Sequence, residues 1–474
     1  MLKVREPLPM KRLVPALFIL AVLSPSARAA APDEVRHLLS RTGFAVSPAQ
    51  LRQFRTLDYP AVVDRLLAGT RTTAVTPPPD WVDDPPPDFR ALRQSSQEEK
   101  KAFRKQRRLQ SLQLKEWWYT EMLATPSQLT EVMTLFWHNH FTSGLRKVKW
   151  PTLMYRQNAL LRRHATGSFR DLLHAVARDP AMVLYLDNQT NRVGQPNENF
   201  ARELLELFTL GEGQYTEQDI KAAARAFTGW KVSRKTGRFR FLARQHDAGV
   251  KVFLGRSGNF NGDDILDILL QQPRTAEFIS AKLWAAFVTT PPDPATRQRL
   301  ADLLRNTDYA IKPLLRAILT HEDFLAPANR GTAIKSPVVF LVGTARVLEL
   351  PVPNKRILVR AGRALGQDLF DPPNVKGWPG GTRWINAHTL LLRQQIIQRL
   401  LRGKEMENRT RLRNKTVSMV AMRDGILPAS LRDLDATALT RLLLPIPPVR
   451  PLPADRSATA TVEWLLRDPA YQLQ

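Results

Sequence analysis

The amino-acid sequence predicts a mainly α fold, with one large multi-helix body and a minor β-hairpin or small antiparallel sheet. Apolar residues recur at helical spacing through most of the 474 residues, and Ser, Thr or Asp residues stand where such segments begin. The alternation typical of strands is confined to a short segment near 231–254. The chain has no cysteine, and at this length it can bury a large core without disulfides.

Residues 1–29 have the pattern of a signal peptide. A basic segment that includes Lys11 and Arg12 precedes an apolar run at 13–23, and the tripeptide ARA at 27–29 is a small-x-small cleavage pattern. The apolar run is about half the roughly 20 residues that a membrane-spanning helix needs. We therefore expect cleavage after Ala29 and export to the periplasm or the exterior, with retention as an uncleaved anchor as the alternative.

After the signal peptide the sequence predicts four regions. The first contains three short helices near 33–41, 47–56 and 58–68, the second of them capped by Ser47. A long polar helix near 95–124 opens the main helical domain, in which Thr216 and Asp308 are predicted helix caps. The predicted regions are an N-terminal helical segment at 30–70, a Pro-rich linker at 71–94, the main helical domain at 95–402 and a basic, Pro-rich, partly helical tail at 403–474.

The strand-like segment near 231–254 is predicted to be a small β insertion in the main domain. Phe239 and Phe241 alternate with Arg238 and Arg240 after a turn at 235–237. Val250, Val252 and Phe253 repeat the alternation. One hairpin or a three-stranded sheet would satisfy this pattern.

The formal net charge of +26 is unusual for a chain of this length. The excess is spread over several stretches rather than one motif, and such a surface attracts polyanions. We expect acidic envelope polymers as partners, whereas the export signal and the lack of a recognition motif make nucleic acid the less favoured choice. The alternative is that the basic residues lie on solvated helix faces and bind no ligand. The basic stretches lie at 100–108, 146–149, 234–244 and 409–415.

Four sequence blocks, in this order and spacing, resemble the bacterial "domain of unknown function 1800" family. The resemblance runs from about residue 35 to about residue 402. The blocks are FWHNHF at 136–141, NENFARELLELFTLG at 197–211, HD at 246–247 with GNFNGDD at 258–264, and NVKGWPGG at 374–381 with WIN at 384–386.

The resemblance implies a large exported bacterial protein with no settled activity. Genes of this family often stand beside genes for exported proteins that resemble alkaline phosphatases and sulfatases, which makes such a protein a candidate partner. The resemblance supplies no catalytic residue that could be transferred to this sequence.

Helical geometry identifies Glu203 as the first candidate site residue. At 100° per residue, Phe200, Leu204, Leu205, Leu207 and Phe208 form an apolar arc, and Glu203 falls inside it whereas Glu206 and Thr209 fall outside. On the helix ending near 141, Asn139 and His140 fall inside the corresponding arc and His138 outside. Glu203 and His140 are therefore candidate catalytic residues with Asn139 as their orienting partner. A hydrogen-bonded core network that fixes helix docking is the alternative.

Two further clusters are candidate ligand sites. Lys376, Trp378 and Trp384 belong to a Pro- and Gly-rich loop that could present an aromatic platform to a sugar ring, or could simply be packed. His138 and His140, two residues apart on a helix, cannot share a metal ion, and the oxygen ligands near 259–264 lack the Glu that closes a calcium loop. We therefore predict no metal site and no cofactor, with a divalent metal as the less favoured alternative.

The function most consistent with the sequence is that of an exported helical binding or accessory protein of the envelope. It would act with an acidic envelope polymer or with an exported hydrolase-like partner. An envelope hydrolase that uses an inward Glu/His pair is one alternative, and a nucleic-acid or other polyanion binder is another. The sequence leaves open whether the protein is an enzyme.

Overall fold

The computed structural model describes residues 28–402 and 427–474, apart from positions 88, 351, 353, 453, 455 and 456. The predicted signal peptide and the basic stretch at 409–415 therefore lie outside the described residues, except for positions 28 and 29. The fold is mainly α with two small antiparallel sheets, as predicted.

The α-helices of the described residues are Pro32–Arg41 (α1), Pro48–Phe54 (α2), Tyr59–Ala68 (α3), Phe89–Gln94 (α4), Gln97–Ala124 (α5), Gln128–His140 (α6), Leu145–Val148 (α7), Pro151–His164 (α8), Phe169–Ala177 (α9), Pro180–Tyr185 (α10), Asn199–Glu203 (α11), Glu217–Ala226 (α12), Gly262–Gln271 (α13), Pro273–Phe287 (α14), Pro294–Asn306 (α15), Ile311–Leu319 (α16), Glu322–Leu325 (α17), Pro337–Val347 (α18), Arg356–Ala364 (α19), Ala387–Arg402 (α20), Ala429–Arg432 (α21), Ala436–Leu443 (α22) and Ala458–Leu466 (α23).

Side-chain caps explain several helix starts, and two of the three predicted caps are confirmed. The Ser47 hydroxyl accepts from Gln50 N, and the Thr216 hydroxyl accepts from Asp219 N. The prediction for Asp308 is wrong. This residue adopts a left-handed φ of 50°, and α16 begins only at Ile311 without a side-chain cap.

The first three helices share one hydrophobic core with the rest of the chain. Val35, Leu38 and Val62 belong to the same buried cluster as residues of α14, α16 and α18. The Tyr59 hydroxyl donates to the Leu319 carbonyl oxygen at 2.9 Å. The segment 71–94 runs along α5, where the backbone amide of Thr76 donates to the buried Glu121 carboxylate at 2.7 Å.

The β insertion consists of two separate hairpins instead of one hairpin or a three-stranded sheet. Strand Trp230–Val232 (β1) pairs with Phe239–Phe241 (β2), and Lys251–Phe253 (β3) pairs with Arg256–Gly258 (β4). A short 3₁₀ turn at Ala243–Gln245 separates them.

The segment 427–474 folds back onto the main body. Leu473 forms an isolated β-bridge with Ile334, and the buried Lys335 ammonium donates to the Tyr471 carbonyl oxygen at 2.8 Å. The Tyr471 hydroxyl lies 2.9 Å from Thr344 Oγ1. Among the described residues, no helix has the length and apolar character needed to span a bilayer.

Candidate functional site

The helix that carries Glu203 changes its geometry at that residue. α11 ends at Glu203 and a π-helix follows at Leu204–Thr209, in which the Thr209 hydroxyl donates to the Leu204 carbonyl oxygen at 2.6 Å. Each π-helical hydrogen bond spans one residue more than an α-helical one, so the positions after 204 depart from the 100° wheel. The regular helical wheel on which Glu203 was placed is therefore wrong for the positions after Leu204. Thr209, predicted outside the apolar arc, is buried, and Leu207 is only half-buried.

Glu203 lies at the edge of the core rather than inside it. Its side chain is half-buried, and within the described part of the chain its carboxylate makes no hydrogen bond or salt bridge. Burial, followed by the Glu206 carboxylate, raises the pKa of Glu203, while Lys376 and Arg202 act in the opposite direction.

The structure brings Glu203 and Lys376 together, although the sequence predicted them for different sites. The Lys376 ammonium lies 3.0 Å from Glu212 Oε1 and 3.9 Å from Glu206 Oε1. The Tyr215 hydroxyl donates to Glu206 Oε2 at 3.1 Å. The result is a surface patch of carboxylates around one lysine, in which burial raises the pKa of Glu203 and Lys376 lowers the pKa of Glu212.

His140 is buried, and both of its ring nitrogens are used within the protein. Nε2 donates to the Phe208 carbonyl oxygen at 3.2 Å, which leaves Nδ1 to accept from the Lys282 ammonium at 3.3 Å. Lys282 also donates to the Leu207 carbonyl oxygen at 3.4 Å, and burial lowers its pKa to about 8. Burial and the neighbouring ammonium lower the pKa of His140 well below its usual value, so the ring is neutral.

No hydrogen bond or salt bridge among the described residues joins His140 to Glu203. His140 and Lys282 instead hold the carbonyl groups of the π-helix. Sequence reasoning missed Lys282, whose only signal was a lysine within the largely apolar pattern of α14.

Asn139 positions the loop that carries Trp378. The Trp378 backbone amide donates to Asn139 Oδ1 at 2.6 Å. Gly377 has a φ of 83°, and a Cβ there would lie 2.3 Å from the same oxygen, so this position requires glycine. Trp378 and Trp384 are both buried, which leaves no solvent-facing aromatic platform and favours a packed loop.

His138 is buried, although the helical wheel placed it outside the apolar arc of α6. Its ring lies between Trp118, Phe370 and Trp378, with centroid distances of 5.5, 5.5 and 5.6 Å. A second layer of the fold therefore covers the face that the wheel assigned to solvent. Across the described ranges, no group of three or more His, Cys, Asp or Glu side chains has a geometry suited to a metal ion.

The basic stretches that are separate in the sequence meet at one surface. The first half of α5, the α7 region and the turn between β1 and β2 line two recesses of about 720 and 1090 Å³, which share Gln189 and the residues 232–235. We call the two recesses together the basic groove. Its basic lining residues are Arg93, Lys100, Arg104, Arg107, Lys147, Lys149, Arg192, Lys231, Arg234, Lys235 and Arg240.

The basic groove has no acidic side chain among its described lining residues. Lys147 pairs with Asp187, Arg192 donates to Gln195, and Lys231 donates to two backbone carbonyl groups. The other eight cationic side chains make no hydrogen bond or salt bridge with any described residue. Burial and the charges of Arg104 and Arg108 lower the pKa of Arg107, as expected where cations crowd one another.

Packing fixes the position of the hairpin turn that contributes Arg234 and Lys235. Gly237 lies against the Trp150 ring, where a Cβ would come within 2.8 Å of Cη2. Its φ of 63° also favours glycine. The basic stretches were recognised in the sequence, but nothing there indicated that they meet, and Arg93, Arg192 and Lys231 lie outside them.

A family model described as "Protein of unknown function (DUF1800)" matches residues 37–473, which is most of the chain. No curated protein and no solved structure matches the sequence.

Proposed function

We propose that this chain, which belongs to the DUF1800 family, is an exported envelope protein that binds an acidic polymer through the basic groove. The observation that carries the proposal is the groove itself, in which eleven basic side chains meet and no described lining residue is acidic. A positive surface enclosed by low-dielectric walls concentrates its field and attracts polyanions.

The groove suits an extended ligand better than a small anion. Its two recesses share the β1–β2 turn, so the cationic side chains lie along a continuous path rather than around one point. Apolar side chains such as Phe103 and Leu184 line the larger recess and would contact the uncharged parts of a polymer.

The candidate Glu/His pair gives less support to a hydrolase. His140 has no ring nitrogen left for proton transfer, and Glu203 does not contact it. A hydrolase would need both groups free at one cleft.

Polyanion binding at increasing salt tests the proposal, with heparin and lipopolysaccharide as probes. We expect log affinity to fall linearly with log salt between about 50 and 200 mM, because binding releases counterions. The double variant Arg234→Glu/Lys235→Glu should bind at least about tenfold more weakly and show a smaller salt slope.

A matched control is the double variant Arg297→Glu/Lys312→Glu. It makes the same change in charge at two exposed positions of α15 and α16, outside the groove. Equal losses in both double variants would show that only the net charge matters, and would contradict a specific groove.

Export is the second part of the proposal, and it rests on the signal-like segment at 1–29. Mass analysis of the protein from the native envelope should give an N-terminus at Ala30. An intact Met1 in the cytoplasmic fraction would contradict export.

A further inference from the structure

Strand β2 has two faces of different chemistry, and they line two different cavities. Arg240 is on the face that lines the basic groove, whereas Phe239 and Phe241 are on the opposite face. Trp230 pairs directly with Phe241 across the hairpin, so it shares the aromatic face. These three rings form one wall of a cavity of about 360 Å³.

The opposite wall of this aromatic cavity comes from the turn before α13 and from Arg178. Asn259, Asn261 and Asp263 line it, and the Asn261 side chain caps α13 by accepting from two backbone amides. Gly262 lies directly against Trp230, where a Cβ would come within 2.4 Å of the ring. The two walls are therefore packed against each other.

The charges of the aromatic cavity cancel. Arg178 forms a salt bridge with Asp263, and Asp263 also lies 3.3 Å from His174 Nδ1. The Arg178 guanidinium stacks over the Trp230 ring at 5.5 Å. In contrast to the basic groove, this cavity has no excess cation to attract an anion.

Two polar side chains in the cavity, Asn259 and His246, have hydrogen-bonding groups free for a ligand. The Asn259 amide has no hydrogen-bond partner in the described part of the chain. His246 Nδ1 donates to the Thr228 carbonyl oxygen at 3.1 Å, which leaves Nε2 as an acceptor. An amide and an imidazole acceptor match a hydroxyl group, which both donates and accepts.

We propose that the aromatic cavity binds one neutral sugar ring. The apolar face of a pyranose would lie on the exposed Phe241 ring, and its hydroxyl groups would bond to Asn259 and His246. The volume lies near the lower end of the range for ligand pockets, about 300–1,000 Å³, which suits a single ring. The proposal rests on residues outside the basic groove and does not depend on the proposed function.

Titration calorimetry of the full chain with methyl glycosides of neutral hexoses and N-acetylhexosamines tests it, with a methyl uronide as the anionic comparison. At least one neutral glycoside should bind with a Kd of about 1 mM or tighter. Phe241→Ala and Asn259→Ala should each weaken that binding about tenfold or more. Salt should have no effect between about 50 and 200 mM, because the cavity has no net charge.

The control is Val252→Ala on β3, which removes a side chain of similar exposure outside the cavity and should change the Kd less than about twofold. The Arg234→Glu/Lys235→Glu variant should also leave glycoside binding unchanged, which separates this site from the groove. Absence of glycoside binding, binding that survives both cavity variants, or a preference for the uronide would overturn the proposal.

Discussion

The interior of the helical body and the basic groove differ in whether their charged side chains are paired. In the interior, the fully buried Glu131 accepts two hydrogen bonds from Arg162, at 2.6 and 2.9 Å, and a third from Trp118 Nε1 at 2.8 Å. In the groove, Arg234 and Lys235 are exposed and have no partner among the described residues. The same residue types therefore fix helix docking in one region and remain unpaired among the described residues in the other.

The largest expected effect comes from breaking the interior pair. Glu131→Gln removes the carboxylate that pairs directly with the buried Arg162 guanidinium, and such a change costs about 3–5 kcal/mol of the free energy of unfolding. Urea denaturation at neutral pH measures it. The control is Glu217→Gln, which breaks an exposed pair with Arg202 and should change the free energy of unfolding little, because solvent screens the pair. Equal losses would show that the interior pair contributes no more than a surface pair.

The second prediction concerns His138, one of the buried histidines of the interior. Burial lowers its pKa to about 3, whereas an unfolded histidine titrates near 6.5. Below about pH 6.5 the unfolded chain therefore binds a proton that the folded chain does not, so the stability falls as the pH falls. The variant His138→Phe removes this pH-dependent loss of stability. Between about pH 7.5 and pH 5, the variant should lose about 2 kcal/mol less than the parent.

Denaturation curves at the two pH values measure that difference. His138→Phe keeps an aromatic ring among Trp118, Phe370 and Trp378, so the packing changes little. An unchanged pH dependence would show that His138 is protonated in the folded protein.

A smaller effect is expected at Glu203, whose half-buried side chain is intermediate between the buried Glu131 and the exposed cations of the groove. Its pKa is raised in the folded state, so its contribution to stability decreases as the pH rises through that raised pKa. Glu203→Gln should therefore be neutral or slightly stabilising at neutral pH, within about 1 kcal/mol. Thermal melts of this variant beside Glu131→Gln measure it. A loss as large as that of Glu131→Gln would reveal a structural partner for Glu203.

The smallest effect on stability is expected in the groove. Arg234→Glu/Lys235→Glu should change the free energy of unfolding by no more than about 0.5 kcal/mol, because neither side chain has a partner to lose. The same variant is expected to lose polyanion affinity, so stability and binding separate. A strong loss of stability would show that these cations support the fold.

The sequence predicted those features that depend on neighbouring residues. Ser47 and Thr216 cap their helices because a hydroxyl there reaches amides only three positions ahead. The π-helix at Leu204–Thr209 was not predicted, because the same apolar residues are compatible with an α-helix. The side chains that bond to its carbonyl oxygens, His140 and Lys282, lie far away in the sequence.

The burial of His138 and the contacts between distant segments were also not predicted from the sequence. His138 is covered by Phe370 and Trp378, which lie more than two hundred residues away in the sequence. The basic groove joins α5 to the β1–β2 turn in the same way. A helical wheel describes one helix at a time, and therefore cannot show which of its faces a later segment will cover.

The contact between α1 and the segment before α23 joins two parts of the chain that are synthesised at very different times. The Arg36 guanidinium donates to the Pro445 carbonyl oxygen at 3.2 Å, across a separation of 409 residues. At a synthesis rate of about 5–20 residues per second, roughly 20–80 s pass between the appearance of the two partners. Helix α1 therefore lacks its C-terminal neighbours during most of translation. The part of the core around α1 is therefore complete only after the segment at 427–474 has been made.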